Sequence, residues 1–330
     1  MRIVIDAMGS DNSPRIEVEG ALQAVQEFGH ELILVGDEKR IADEIAKHGK
    51  KPEEIIIKHA SEIIGMHDPA AVSVRRKRDA SIVVGLELVK KGEADAFVSA
   101  GNTGAVVCAA TLSLRMLPGI ERPGIAIVIP SLIGNSLIMD VGANITCKPI
   151  HLLQYGIMAD AYSRYILKKE NPTVGLLNVG EEEGKGTDFI KETHTLLTES
   201  RLNFTGNVEG RDIYRGTTDI VLCEGFVGNV ILKVSESVID TIVRLLKKEI
   251  KSNLIATIGA ALLSATAFNA MKKKMDYSEY GGAPLLGVDG RVIICHGSSS
   301  AKAIKNAVRV AAESIKLDVN KHIIEELATY

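Results

Sequence analysis

The chain has 330 residues, with 39 basic and 42 acidic side chains and a formal charge of −3. Apolar residues make up 46% and charged ones 25%, which excludes a disordered or collagen-like chain. The near balance of charge argues against a globally basic nucleic-acid binder, and 4% aromatics without tryptophan leave no stacking platform for single strands.

The first β-branched run, residues 2–6, predicts a strand, and segment 15–28 after it has helical period. Strands at 31–35 and 54–58 bracket a helix at 41–48. A helix over 74–91 leads to a strand at 94–99, and one over 105–116 leads to strands at 124–129 and 137–141. Helices at 150–169 and 189–200 then alternate with strands at 173–178, 202–205 and 220–223. A long helical span from 230 to about 275, a strand at 292–295 and a helix at 299–315 complete the order. Strands that read as continuous hydrophobic runs between helices indicate an α/β fold with a largely parallel sheet covered on both faces. No repeat or polar linker cuts the chain, so 1–330 reads as one α/β domain with a helical excursion at 236–275.

Cys108, Cys147, Cys223 and Cys295 lie far apart without a C-x-x-C pair, which predicts reduced thiols and no zinc framework. Strand-like residues from Arg2 leave no room for a secretory leader, so a cytoplasmic protein is expected. The longest apolar run, 254–268, is too short to span a bilayer as a helix. Lys247, Lys248 and Lys251 precede it, and Lys272, Lys273 and Lys274 follow. Leu254, Ile255, Leu262, Leu263 and Phe268 then form a greasy tip suited equally to an anionic membrane surface or a dimer interface.

In such folds ligands bind outside the carboxyl ends of the strands. Asp6-Ala-Met-Gly-Ser-Asp11, Ser99-Ala-Gly-Asn-Thr-Gly104, Asp140-Val-Gly-Ala-Asn144, the stretch 178–185 and His296-Gly-Ser-Ser299 all fall there. Gly101-Asn102-Thr103-Gly104 offers free N–H groups at a helix start, a place for phosphate or an oxyanion, and also reads as an ordinary cap. His296-Gly297-Ser298-Ser299 repeats that arrangement and adds an imidazole that titrates near neutral pH. Asp6, Asp11 and Asp140 suit Mg²⁺, proton acceptance or plain turn chemistry.

A P-loop reading of 180–187 fails: the spacing is one residue short, Gly186 separates Lys185 from Thr187, and Glu181, Glu182 and Glu183 repel a triphosphate. No G-x-G-x-x-G, G-x-S-x-G or H-E-x-x-H occurs. Arg75-Arg76-Lys77-Arg78 reads as a solvated helix face or as a dock for an acidic partner.

Taken in order, these junctions resemble the bacterial phosphate acyltransferases of phospholipid synthesis, the PlsX family. The resemblance continues through Val174-Gly-Leu-Leu-Asn178, Glu181-Glu-Glu-Gly-Lys-Gly186, Gly206-Asn-Val-Glu-Gly-Arg-Asp212, Gly225-Phe-Val-Gly-Asn229 and Tyr280-Gly-Gly-Ala-Pro-Leu-Leu-Gly287. It departs at Ser10, Ser13 and Thr146, where the family more often has Gly, Ala and Asp. The resemblance implies a three-layer α/β/α fold of the isocitrate dehydrogenase and phosphotransacetylase type, usually a homodimer; no cofactor and no metal ligands are assigned, and a metal requirement is left open. It implies phosphorolysis of a long-chain acyl–acyl-carrier-protein to acyl phosphate and free carrier. That product passes to a membrane-bound glycerol-phosphate acyltransferase. The family is cytoplasmic and peripherally membrane-associated, which favours the membrane reading of 254–268.

Phosphate is already a nucleophile, so the site must desolvate it, hold it near the thioester carbon and stabilise an oxyanion. Phosphate is assigned to Asn102, Thr103, Gly104, Gly297, Ser298 and Ser299 with help from Lys185. Asn102 or Asn144 would donate to the oxyanion, and Asp6, Asp140 or His296 would manage the thiol proton. Arg75, Arg76, Lys77 and Arg78 are assigned to carrier-protein docking. Two alternatives stand beside this reading. An NAD- and metal-dependent dehydrogenase on the same fold needs a nicotinamide loop, and a carrier-binding scaffold would leave phosphate unconsumed.

Overall fold

Ile3, Val4 and Ile5 point alternately to opposite sides of their strand, yet all three are fully buried. Only a sheet covered on both faces buries both sets, and that is the architecture of the computed structural model, which describes residues 1–252, 277–279 and 281–330. The strands are β1 (Arg2–Asp6), β2 (Glu31–Gly36), β3 (Ile55–His59), β4 (Ala96–Ser99), β5 (Gly124–Ser131) and β6 (Gly134–Met139), then β7 (Val174–Leu177), β8 (Phe204–Val208), β9 (Ile220–Leu222), β10 (Ala283–Leu286) and β11 (Val292–Ile294). The helices are α1 (Arg15–Phe28), α2 (Glu38–Ala46), α3 (Ala70–Arg76), α4 (Ser81–Lys90), α5 (Thr103–Leu114) and α6 (Pro149–Tyr165), then α7 (Asp188–Thr198), α8 (Gly210–Arg215), α9 (Gly225–Ser252), α10 (Ala301–Lys316) and α11 (Val319–Leu327).

The strands form one sheet in the order β3-β2-β1-β4-β11-β10-β5-β6-β9-β7-β8. Pairing is parallel except around β10, which runs antiparallel to both β11 and β5, and within the β5–β6 hairpin. Helices α1 and α10 cover one face of the β1 end, where Val18, Ala21, Ile304 and Val308 pack on Ile3, Ile5 and Leu34. Gly20 permits that close packing, since a Cβ there would lie 2.6 Å from Ile304 Cβ. Helices α4 and α5 cover the opposite face, with Leu86 and Val106 against Val4 and Phe97. At the far end, α6 and α11 pack on β6, β7 and β9 through Tyr155, Met158 and Ile323.

The structure corrects several expected elements. The helix expected over 74–91 is two, because the chain breaks at Lys77–Ala80 to meet the 61–68 segment. There Lys77 pairs with Asp68 at 2.7 Å, Asp79 accepts from Ser61, and Ala80 bridges to Glu62. The expected strand 137–141 ends at Met139, β10 is an additional strand, and α8 and α11 are additional helices. The helix expected from 230 starts at Gly225, and the one expected from 299 starts at Ala301. The 254–268 tip, with Leu254, Ile255, Leu262, Leu263 and Phe268, lies outside the described residues.

Candidate active site

Asp6 ends β1 fully buried, accepting from the Met8 N–H at 3.1 Å and the Ser99 hydroxyl at 2.7 Å. Burial pushes its carboxyl up, and the serine and backbone donors oppose that. Ser99 Oγ also accepts the Gly101 N–H at 3.0 Å, so one carboxylate ties the loop after β1 to the loop after β4. The two loops touch: a Cβ on Gly9 would lie 2.6 Å from Gly101 N and 2.7 Å from Asp6 Oδ2.

Asn102 caps α5, its Oδ1 accepting the Ala105 N–H at 3.0 Å. Its Nδ2 donates to the carbonyls of Gly65, Met66 and Asp68 at 3.1 to 3.2 Å. The side chain therefore clamps the 65–68 segment onto α5 and holds no donor in reserve for an oxyanion. What the helix start does offer is the exposed backbone at Thr103 and Gly104, whose N–H groups belong to the unsatisfied first turn.

On the neighbouring strand, His296 leads into a turn closed by the Ser299 N–H on the His296 carbonyl at 2.9 Å. The Ser298 N–H donates to His296 Nδ1 at 3.2 Å, with the Ser298 hydroxyl 2.7 Å from the same nitrogen. That N–H makes Nδ1 an acceptor, which puts the proton of the neutral ring on Nε2. Ser300, just beyond, caps α10, and the Asp11 N–H fastens Gly297 O at 3.0 Å.

Asp140 is fully buried and accepts four backbone N–H groups, from Ile125, Gly142, Ala143 and Asn144, at 2.8 to 3.1 Å. Burial pushes its carboxyl up and the four amides pull the other way. The Asn144 amide donates to Pro123 O and, at 2.8 Å, to Tyr155 OH. Asp6, Asp140 and Asn144 thus shape the loops from beneath, and none of the three lines the cleft above.

That cleft, about 1780 Å³, brings together Asp11, Met66, Gly101, Asn102, Thr103, Gly104 and His296 to Ser300. Its other wall is apolar, with Ile125, Ile127, Ile129, Leu232, Val238 and Ile239. The structure does not bring Lys185 there. It is exposed on the loop after β7, five strands along the sheet from β11, a span of about 24 Å at sheet spacing. Asn229 and Lys233 line the cleft instead, one helical turn apart on α9. Sequence reasoning missed both as site residues; the signal was the quoted Gly225-to-Asn229 motif, continued by one turn.

Of the basic run, Arg75, Arg76 and Arg78 are exposed, and Lys77 is spent on Asp68 and the Ile63 carbonyl. Helix α3 packs on α5, close enough that a Cβ on Gly104 would lie 3.1 Å from Ala70 Cβ. The arginines lie at the far end of α3 from that contact, exposed and outside the cleft lining. All four cysteines are free, with Cys223 and Cys295 buried.

With this geometry in view, the chain matches the family model "Fatty acid synthesis protein" over residues 1–322. It is 52% identical over 327 residues to a phosphate acyltransferase of Geotalea daltonii, covering 99% of this chain and 94% of that one. It is 49% identical over 329 residues to the phosphate acyltransferase of Geobacter sulfurreducens, covering 100% and 95%. Among solved structures it resembles a phosphotransacetylase from Streptococcus pyogenes, with TM-score 0.62 and 19% identity over 96% of this chain and 94% of that one. The EutD phosphotransacetylase of Staphylococcus aureus is similar at TM-score 0.60 and 15% identity, with the same coverage. These structural likenesses carry the three-layer α/β fold, and the sequence matches carry the rest: the chain belongs to the PlsX family of phosphate acyltransferases, enzymes of fatty acid and phospholipid synthesis.

Proposed function

We propose that the enzyme transfers the acyl group of a long-chain acyl–acyl-carrier-protein to inorganic phosphate, giving acyl phosphate and the free carrier thiol. One observation carries this: a single cleft joins the exposed start of α5 at Thr103–Gly104 and the His296–Ser299 turn, with its Gly297 N–H and serine hydroxyls, to an apolar wall along β5 and α9. The turns suit a phosphate and the wall suits an acyl chain.

A phosphate oxygen attacks the thioester carbon, the tetrahedral oxyanion collapses, and the carbon–sulfur bond breaks. The proton carried by hydrogenphosphate ends on sulfur, so no other acid is consumed. His296 Nε2–H donates to the sulfur as its charge develops. With the Asn102 and Asn144 amides committed elsewhere, Asn229 and Lys233 are the side chains that face the oxyanion. Asp6 and Asp140 act through the loops they hold.

The experiment is phosphorolysis of palmitoyl–acyl-carrier-protein, following free thiol and trapping acyl phosphate with hydroxylamine. Equal, phosphate-dependent yields of both are expected. Carrier binding without thiol release would leave the scaffold reading in its place.

Arg75, Arg76 and Arg78 dock the acidic carrier, supported by their exposure on and just beyond α3, the helix that packs on α5. Arg75→Glu with Arg76→Glu is expected to raise the KM for the carrier-bound substrate about tenfold and leave kcat within about twofold. An unchanged KM would end that assignment.

Acyl phosphate is then used by the membrane-bound glycerol-phosphate acyltransferase. The lysine-flanked 254–268 run suits peripheral contact with an anionic surface, and co-sedimentation with anionic against neutral vesicles checks it. A homodimer is supported by the exposed apolar side chains Ile242, Leu245 and Leu246 on α9, beyond the cleft lining.

A further inference from the structure

The loop after β1 is a wedge between the two turns assigned to phosphate. Its Gly9 touches Gly101 on one side, and its Asp11 N–H holds Gly297 O at 3.0 Å on the other. Asp6 grips the wedge at one end. At the other end stands Glu17, in the first turn of α1 and fully buried. Glu17 Oε1 accepts the Ser10 N–H at 3.0 Å, and the Ser10 hydroxyl faces the same carboxyl. Glu17 Oε2 and Ser10 Oγ are nonetheless both buried without a hydrogen bond of good geometry. A neutral carboxyl can resolve this, because its O–H donates where a carboxylate only accepts.

We propose that Glu17 is a positioning residue for phosphate: neutral, it seats the wedge between the start of α5 and the His296–Ser299 turn; ionised, it weakens phosphate binding. The inference rests on the phosphate site described above. Charge around Glu17 supports it. Asp6 on β1 repels an anion here, and the neighbouring Cys295 thiol beyond β11 is itself pushed up to about 12, hence neutral. Of the cations on the packed helices, α10 places Lys305 on Glu27 at 2.6 Å, Lys302 on Glu279 at 2.8 Å and Arg309 on Glu313 at 2.8 Å, and α2 places Arg40 on Ser13 O at 3.0 Å. Burial, with Asp6 adding to it, pushes the Glu17 carboxyl up to about 7. The neutral form therefore dominates below that pH and the anion above it. A buried anion under the site repels a phosphate dianion.

Linkage supplies a test that does not need turnover. The side-chain carboxyl ¹³C resonance assigned to Glu17, identified by its loss in Glu17→Gln, should titrate near pH 7 and move upward by about one pH unit when saturating inorganic phosphate is added. A midpoint indifferent to phosphate overturns the proposal. In turnover, the ratio of phosphate KM in the wild type to that in Glu17→Gln cancels the titration of phosphate itself. It is expected to rise about fivefold from pH 6 to pH 8 while the kcat ratio stays level. A flat ratio, in an enzyme that does consume phosphate, counts against Glu17 alone; absence of phosphate-dependent turnover counts against the transfer reaction. Should Glu17→Gln fail to fold, Ser10→Ala is expected to raise the midpoint by removing the hydroxyl that supports the carboxylate. An unmoved midpoint there is equally decisive against it.

Discussion

Asp140→Ala is expected to cost the fold about 4 kcal/mol and to lower its melting temperature by roughly 8 °C. The alanine leaves the N–H groups of Ile125, Gly142, Ala143 and Asn144 buried with no acceptor. Each such orphan costs about 1–3 kcal/mol, and relief from burying a carboxylate returns part of the total. The loop has little room to relax toward water. Gly225 and Gly228 of α9 press on it so closely that a Cβ would lie 2.6 Å from Asp140 Oδ2 and 1.9 Å from Asp140 O respectively. Asp140→Asn is the milder change, costing about half as much. Its one oxygen can still serve Ile125, Gly142 and Ala143, while its amide faces the Asn144 N–H donor to donor. Denaturant melts of the three proteins check this order. An alanine variant as stable as the wild type would show that the four bonds do not hold the loop.

The strands of the first half were legible because both their faces are buried, so composition alone marks them. Residues 2–6 and 31–35 read as strands without help from alternation, and Ile3, Val4, Ile5, Leu32 and Leu34 are all buried. β10 was not legible. It is four residues with Pro284 in second place, the signature of an edge or a turn, yet it sits antiparallel between β11 and β5. The break between α3 and α4 was hidden for another reason. Nothing local stops a helix at Arg76; the partners that do, Ser61, Glu62 and Asp68, come from the preceding loop.

The same division runs through the site. That Asp6, Gly101–Gly104 and His296–Ser299 share one sheet edge followed from their place at strand ends. Which atoms remain free did not, because that depends on distant partners such as Ser99 for Asp6 and Ile125 for Asp140. Lys185 illustrates the limit: its loop does follow a strand, but strand order along the sheet is a topological fact that spacing cannot supply. At Asn102 the capping reading of the junction is the one the structure shows, and it leaves room for the other. Its side chain is the cap, and the backbone it caps is where phosphate is proposed to sit.

That double role makes Asn102→Ala the variant with the largest expected effect on turnover, a fall in kcat/KM of about 10²- to 10³-fold. Stability should drop by only about 1–2 kcal/mol, the cost of a lost cap and its accompanying bonds. The disproportion arises because Nδ2 is the shared donor for Gly65 O, Met66 O and Asp68 O. Without it the 65–68 segment loses its hold on the start of α5, taking Met66 out of the cleft wall and loosening the Asp68–Lys77 pair that fixes the basic run. Two further variants separate the cap from the charge. Asn102→Ser keeps an oxygen for the Ala105 N–H and adds no charge. Asn102→Asp keeps the oxygen as well, but turns the donor into an anion that faces three carbonyls and sits where phosphate is placed. Phosphate KM is therefore expected to rise at least about tenfold more in Asn102→Asp than in Asn102→Ser, with the carrier-substrate KM similar in both. Equal phosphate KM values in the two would mean that the start of α5 senses no anion, and phosphate would have to be placed on the His296–Ser299 turn alone.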